Sequence, residues 1–267
     1  MSYRRWFSAL VVGALLVGGG SATAQVEKKP PKEVASFGTL RAPTPEAARS
    51  QALDWLKGVG KTDEASMKTF AALWDGDRPV LDKVADTLSL ADAEAQKLLT
   101  EARNPEAPAP TAVPTAIKDN KRPAFYRSNL ALAYARALSN RRVHEEALEA
   151  LRVVKPEQVV DPSAYLFHRA VAEHALLLKK EAAESIVRLL DDAVDSPERY
   201  KMVAGLMLFD MMGWQDKDLG WIARKMDNIE RRLELARGGP QTQKMQKEVV
   251  ARLDELIKEL ENKQKGN

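Results

Sequence analysis

The side chains with most capacity for chemistry are few. Histidine occurs at 144, 168 and 174 only, and cysteine is absent. A metal site would have to join these imidazoles to carboxylates. The suggestive fragment His144-Glu145-Glu146-Ala147-Leu148 carries leucine where a zinc helix places its second histidine, four residues on. His168 and His174 are six positions apart, roughly 240° around a helix, so they do not share a face. Structural or exposed histidines are expected, and no metal ligand. Without cysteine there is no disulfide, no thiolate site and no thiol nucleophile. Gly18-Gly19-Gly20 and Gly238-Gly239 follow no strand that would make them phosphate loops, and Asp191-Asp192 point to different sides of a helix. Expected, then, are no catalytic residue, no cofactor and no enzymatic activity.

Two constellations point instead to contact surfaces. Met202, Met207, Met211 and Met212 stand among Leu206, Leu208, Phe209 and Trp214, and methionine-rich surfaces repack around differing partners. Met207, Met211, Met212 and Trp214 are the candidate interaction surface. Against this, a helix apolar on nearly all sides is usually core, which is the heavier expectation. A second aromatic group, Trp55, Phe70 and Trp74, is the candidate for an alternative function, binding of a small molecule or an envelope polymer. An enzyme without recognisable motifs is a third reading.

The elements that must position these residues read as helices. Residues 1–24 have the form of a secretory signal peptide: Arg4-Arg5, an apolar run from Trp6 to Val17, and small residues at Ala22 and Ala24. Cleavage between Ala24 and Gln25 is expected. The run is shorter than the roughly 20 residues of a comfortable span, so the chain is expected to be exported to the periplasm or beyond, with no membrane span after cleavage. Cleavage would remove two arginines from a balance of 41 basic to 38 acidic residues. Nothing then builds the cationic face that nucleic acid requires.

Residues 25–43, with Lys28, Lys29, Pro30, Pro31 and Lys32, have too little apolar content to be ordered and read as a flexible tether. Residues 44–103 form a first helical block. Thr44-Pro45 opens it, and Thr62 with Glu64 and Ser89 with Asp92 are further start signals. Five prolines between 104 and 123 make that stretch a Pro-rich linker and the expected domain boundary. Residues 124–212 follow as helical pairs. Residues 213–264 form a C-terminal hairpin in heptad spacing: Leu219, Ile222, Met226, Ile229 and Leu233, then Val249, Leu253, Leu256 and Leu260. Gly238-Gly239-Pro240 is the expected break, glycine supplying a left-handed helix end. Asp227–Arg231, Glu248–Arg252, Asp254–Lys258 and Glu259–Lys263 are expected as surface ion pairs.

Tyr134 and Ala135, then Ala147 and Leu151, resemble a degenerate tetratricopeptide pattern, in which small residues let two helices approach. The second unit shortens the alanine spacing to Ala172 and Ala182, and the pattern's tryptophan and glycine are absent, so no peptide-binding residue is carried over. From Tyr165 onward, and notably at Pro197-Glu198-Arg199-Tyr200 and Gly238 to Gln243, the chain is also similar to uncharacterised secreted proteins of planctomycete bacteria. That resemblance implies export and helical structure, and no activity. The expectation is an all-α protein: TPR-like hairpins stacked as an array, ending in a long antiparallel hairpin. The expected role is an adaptor that holds an unidentified protein partner, with self-association through the C-terminal hairpin as an accompanying expectation.

Overall fold

The computed structural model describes residues 37–265. The signal segment, the cleavage position at Ala24 and Gln25, and most of the tether lie outside the described residues. The fold is all-α, as the spacing of apolar residues requires. No described helix is long and apolar enough to cross a membrane.

Four helices make the first block. In α1 (Pro45–Gly58) the Thr44 hydroxyl accepts the Ala47 amide at 3.2 Å, with Pro45 at the first helical position. In α2 (Glu64–Trp74) the cap is Asp63, not Thr62: its carboxylate accepts the Ser66 amide at 2.9 Å. Helices α3 (Val80–Ala91) and α4 (Ala93–Arg103) meet at Asp92. The Ser89–Asp92 box does not form. Asp92 itself caps α4, because its carboxylate reaches the Glu94 amide at 2.8 Å, while the Ser89 hydroxyl donates back to the Ala85 carbonyl.

The Pro-rich stretch does not separate two cores. It contains α5 (Thr115–Lys118) and buries Val113, Ala116 and Ile117 in the same core as the helices on either side. The reason lies in α6 (Ala124–Asn140), which is buried around most of its circumference and is packed by α1, α3, α4 and α5. Trp55 of α1 stacks on Tyr126 of α6 at 5.6 Å between ring centres. The helix that begins the second expected domain is therefore the centre of the first.

Two helical pairs follow. Helix α6 returns through α7 (His144–Arg152), and after a 3₁₀ turn at Pro156–Gln158, α8 (Pro162–Ala175) returns through α9 (Lys179–Asp191). The small residues Ala135, Ala147, Ala172 and Ala182 are fully buried. The two turns share one geometry. Arg142 and Leu177 both adopt left-handed backbone, with φ of 60° and 61°. The amide after each donates to the carbonyl five residues earlier, Val143 to Leu138 at 3.0 Å and Leu178 to Glu173 at 2.9 Å. The end of the expected tether is also held: the Leu40 amide donates to the Asp192 carbonyl at 3.0 Å, and Leu40 is buried.

Helix α10 (Glu198–Met212) packs on α8 and α9. The hairpin is α11 (Leu219–Glu234) and α12 (Pro240–Lys265), with Ile222, Ile229 and Val249 in a small cluster of its own. Pro240 starts α12 as expected. The left-handed residue is Ala236 (φ 56°), though, and neither Gly238 nor Gly239. None of the four expected surface pairs forms. Glu248 meets Lys225 across the hairpin, Arg252 turns to Glu255 and Glu259, and Arg231 is buried.

Candidate functional site

Helix α10 starts after Pro197, whose ring fixes φ for a helical start. Its inner face places Ala204 and Met211 in the core, with Met207 partly buried beside them. The candidate surface therefore splits. Met211 and Met207 belong to packing, and Met212 is open. The exposed face is instead Met202, Leu206, Phe209 and Met212, between 66% and 76% exposed, with Val203 at its edge. The first three recur at intervals of four and three, which is one side of a helix. Trp214 lies at the foot of this helix in a polar setting. Its indole N–H donates to Asp210 at 3.0 Å, His174 Nε2 lies 2.9 Å from the same oxygen, and the Arg224 guanidinium sits 4.8 Å over the ring.

Beside the open face, α6, α8 and α10 enclose a groove of 430 Å³. Ala133, Ala137 and Asn140 form its floor, and Phe167 and Tyr200 stack at 4.2 Å on its wall. Three arginines reach it. Arg136 is paired with Asp82, and Arg103 with Asp86 at 3.3 Å. Arg199 makes no ion pair among the described residues and lies over Tyr200. His168 is buried in the same wall with its Nδ1 unpartnered. Burial, with Arg136 nearby, pushes its pKa down to about 4, so the ring is neutral near pH 7. These residues come from positions more than 60 apart, and no local spacing announces them.

The fragment beginning at His144 has a role that zinc-motif reasoning missed. The Glu145 carboxylate accepts both branches of Arg231, at 2.8 and 2.9 Å, and also binds Arg232 and Arg237. Burial opposes its charge most, but the hydrogen bonds and charge of Arg231, together with the charge of Arg232, jointly outweigh that and bring the pKa down to about 2. Arg237 continues to Glu146 at 2.8 Å and to the Pro110 carbonyl at 2.7 Å. Arg231 also donates to the Arg142 carbonyl, and Asn228 to the Ala175 carbonyl at 2.7 Å. Helix α11 is thus fastened to the turns of both helical pairs by polar contacts. His144, buried beside Arg231, is held neutral with a pKa near 4.

The aromatic candidates are core residues. Trp55, Phe70 and Trp74 are buried, and Trp74 Nε1 donates to Thr87 at 3.1 Å. They offer no open ring face to a ligand. Among the described residues no three histidine or acidic side chains converge as a metal-ion site.

Comparison with family models, with curated proteins and with solved structures finds no match to this chain.

Proposed function

We propose that the chain is an exported, non-enzymatic helical adaptor or scaffold of the periplasm or cell envelope, holding a protein partner on the open face of α10 and in the adjoining groove. The observation that carries this reading is the exposed run Met202, Leu206, Phe209 and Met212 on a helix whose opposite face is firmly packed. Burying one such side chain stabilises a complex by roughly 1.5–3 kcal/mol, and soluble monomers rarely leave so many together. The complementary partner is a segment with apolar side chains at the same spacing and a carboxylate for Arg199. Stacking of α6/α7 and α8/α9 as a TPR-like array is part of the proposal, supported by the four buried alanines and the matching left-handed turns. The test is capture from native envelope extract with a Leu206→Asp, Phe209→Asp double variant beside the unaltered protein. Both should be equally helical by circular dichroism, and the variant should lose the partner at least tenfold. Equal capture by both would overturn the assignment.

One observation favours the second reading, a small-molecule or envelope-polymer binder, at a different place from the aromatic block. A cavity of 740 Å³ opens between the Pro-rich stretch, α4 and α6. Tyr134 is on its wall, buried, with a hydroxyl that has no partner. A ligand with an apolar body and one hydrogen-bond acceptor fits that chemistry. Such a ligand should raise the melting temperature of the unaltered protein, and Tyr134→Phe should reduce the rise.

A further inference from the structure

The hairpin carries a second apolar seam that its own packing does not use. In α12 the side chains of Val249 and Leu256 pack toward α11. Val250, Leu253, Ile257 and Leu260 remain exposed. Their spacings of three, four and three are those of a heptad seam, and β-branched residues alternate with leucine along it. At 100° per residue this seam lies roughly 80° around α12 from the side facing α11. On α11, Leu219, Met226 and Leu233 are exposed at intervals of seven, turned by a similar angle from Ile222 and Ile229. Because the two helices run antiparallel, both rotations lead to the same side of the hairpin. That side is opposite to the one on which Asn228 and Arg231 reach the body. Helix α12 has 26 residues and α11 has 16. Its last part therefore runs beyond α11 as a single helix with an apolar stripe.

We propose that this seam is occupied by the same seam of a second copy, antiparallel about a two-fold axis near Glu255. This goes beyond the adaptor reading and does not depend on it. In that register Val250 meets Leu260 of the second copy, and Leu253 meets Ile257, giving four apolar layers with no polar intruder. Charge favours the same arrangement on balance, two attractive contacts against one like-charge contact of Asp254 with its own copy at the axis: Lys247 flanks one end of the seam and Glu261 the other. Neither makes an ion pair among the described residues, and antiparallel alignment sets Lys247 beside Glu261 of the second copy twice. A parallel pair would leave both without a partner. The free end of each α12 then lies along the partner hairpin, near Met226 and Leu233. The apolar surface so covered is on the order of several hundred Å² per copy, approaching the roughly 800 Å² per partner of a stable complex. The contact is isologous and closes on itself, so it ends at a dimer.

Sedimentation equilibrium of the intact protein from about 1 to 100 µM tests this. The unaltered chain should sediment at twice its monomer mass. An Ile257→Asp, Leu260→Asp variant should be monomeric with unchanged helix content, its dimer weakened at least 100-fold. Glu261→Lys alone should weaken the dimer several-fold, and adding Lys247→Glu should restore it. A monomer at every concentration would overturn the proposal, as would a dimer indifferent to the aspartates. A double charge variant no better than the single one would overturn the antiparallel register. The α10 double variant should dimerise normally, which separates this contact from the adaptor surface.

Discussion

Glu145 shows how much one side chain can hold. Its carboxylate neutralises parts of three guanidinium groups at the joint between the helical pairs and the hairpin. Its pKa falls from an ordinary 4.5 to about 2 on folding. The ionised form is thus favoured in the folded state, and its contribution, about 3 kcal/mol, is complete above pH 4.5 and lost as pH falls toward 2. Glu145→Ala should cost about 3–5 kcal/mol near neutral pH, because it leaves buried arginines unpaired, and should reduce the acid-side slope below pH 4.5 in urea titrations. The buried histidines act in the neighbouring window. His144 and His168 have folded pKa values lowered to about 4. Stability is therefore fully present above pH 6.5 and declines as pH falls from 6.5 toward 4, where the unfolded chain takes up protons that the folded one refuses. His168→Leu should flatten that decline in a melting-temperature series, and a slope unchanged by the variant would contradict its neutral burial.

At the scale of the element, helix existence was legible and helix ends were less so. Thr44-Pro45 and Pro240 mark starts because capping and proline geometry are local effects. The end of α11 was misplaced at Gly238-Gly239, since left-handed backbone falls on Ala236 where the helix finishes against its own carbonyls. An L-residue there costs roughly 1–2 kcal/mol relative to glycine. Ala236→Gly should accordingly raise the unfolding free energy from urea titration by about 1 kcal/mol, whereas Gly238→Ala should change it little. The surface pairs on α11 and α12 failed for a related reason. An arginine four residues from an acid takes a better partner when the tertiary fold presents one, as Glu145 does for Arg231.

For the whole molecule, the chief departure from sequence reasoning concerns the prolines. A stretch poor in backbone donors reads as a linker, yet Val113, Ala116 and Ile117 within it are fixed between α6 and its neighbours. Ile117→Ala should cost about 2–4 kcal/mol, a loss no linker residue would show, and should shift one cooperative transition covering the residues on both sides. The hairpin should behave differently. Its apolar cluster is separate from the main core, and the bonds around Glu145 fasten it. In Glu145→Ala, amide exchange should quicken more in α11 and α12 than in α6.

Composition, helical periodicity and capping pairs by themselves determined the all-α class, most helix starts and the absence of cysteine chemistry, since each depends on residues within a turn or two of one another. The same local rules identified an apolar α10 but not which of its sides is open. That depended on how α8 and α9 cover Met211 while leaving Phe209 outside. The groove with Arg199 and His168, the Glu145 joint and the unused seam of α12 were decided only by the tertiary structure. The groove and the joint bring together residues whose separation along the chain far exceeds the reach of any helical period, and the seam, though its spacing is local, is left open by how α11 covers another side of α12.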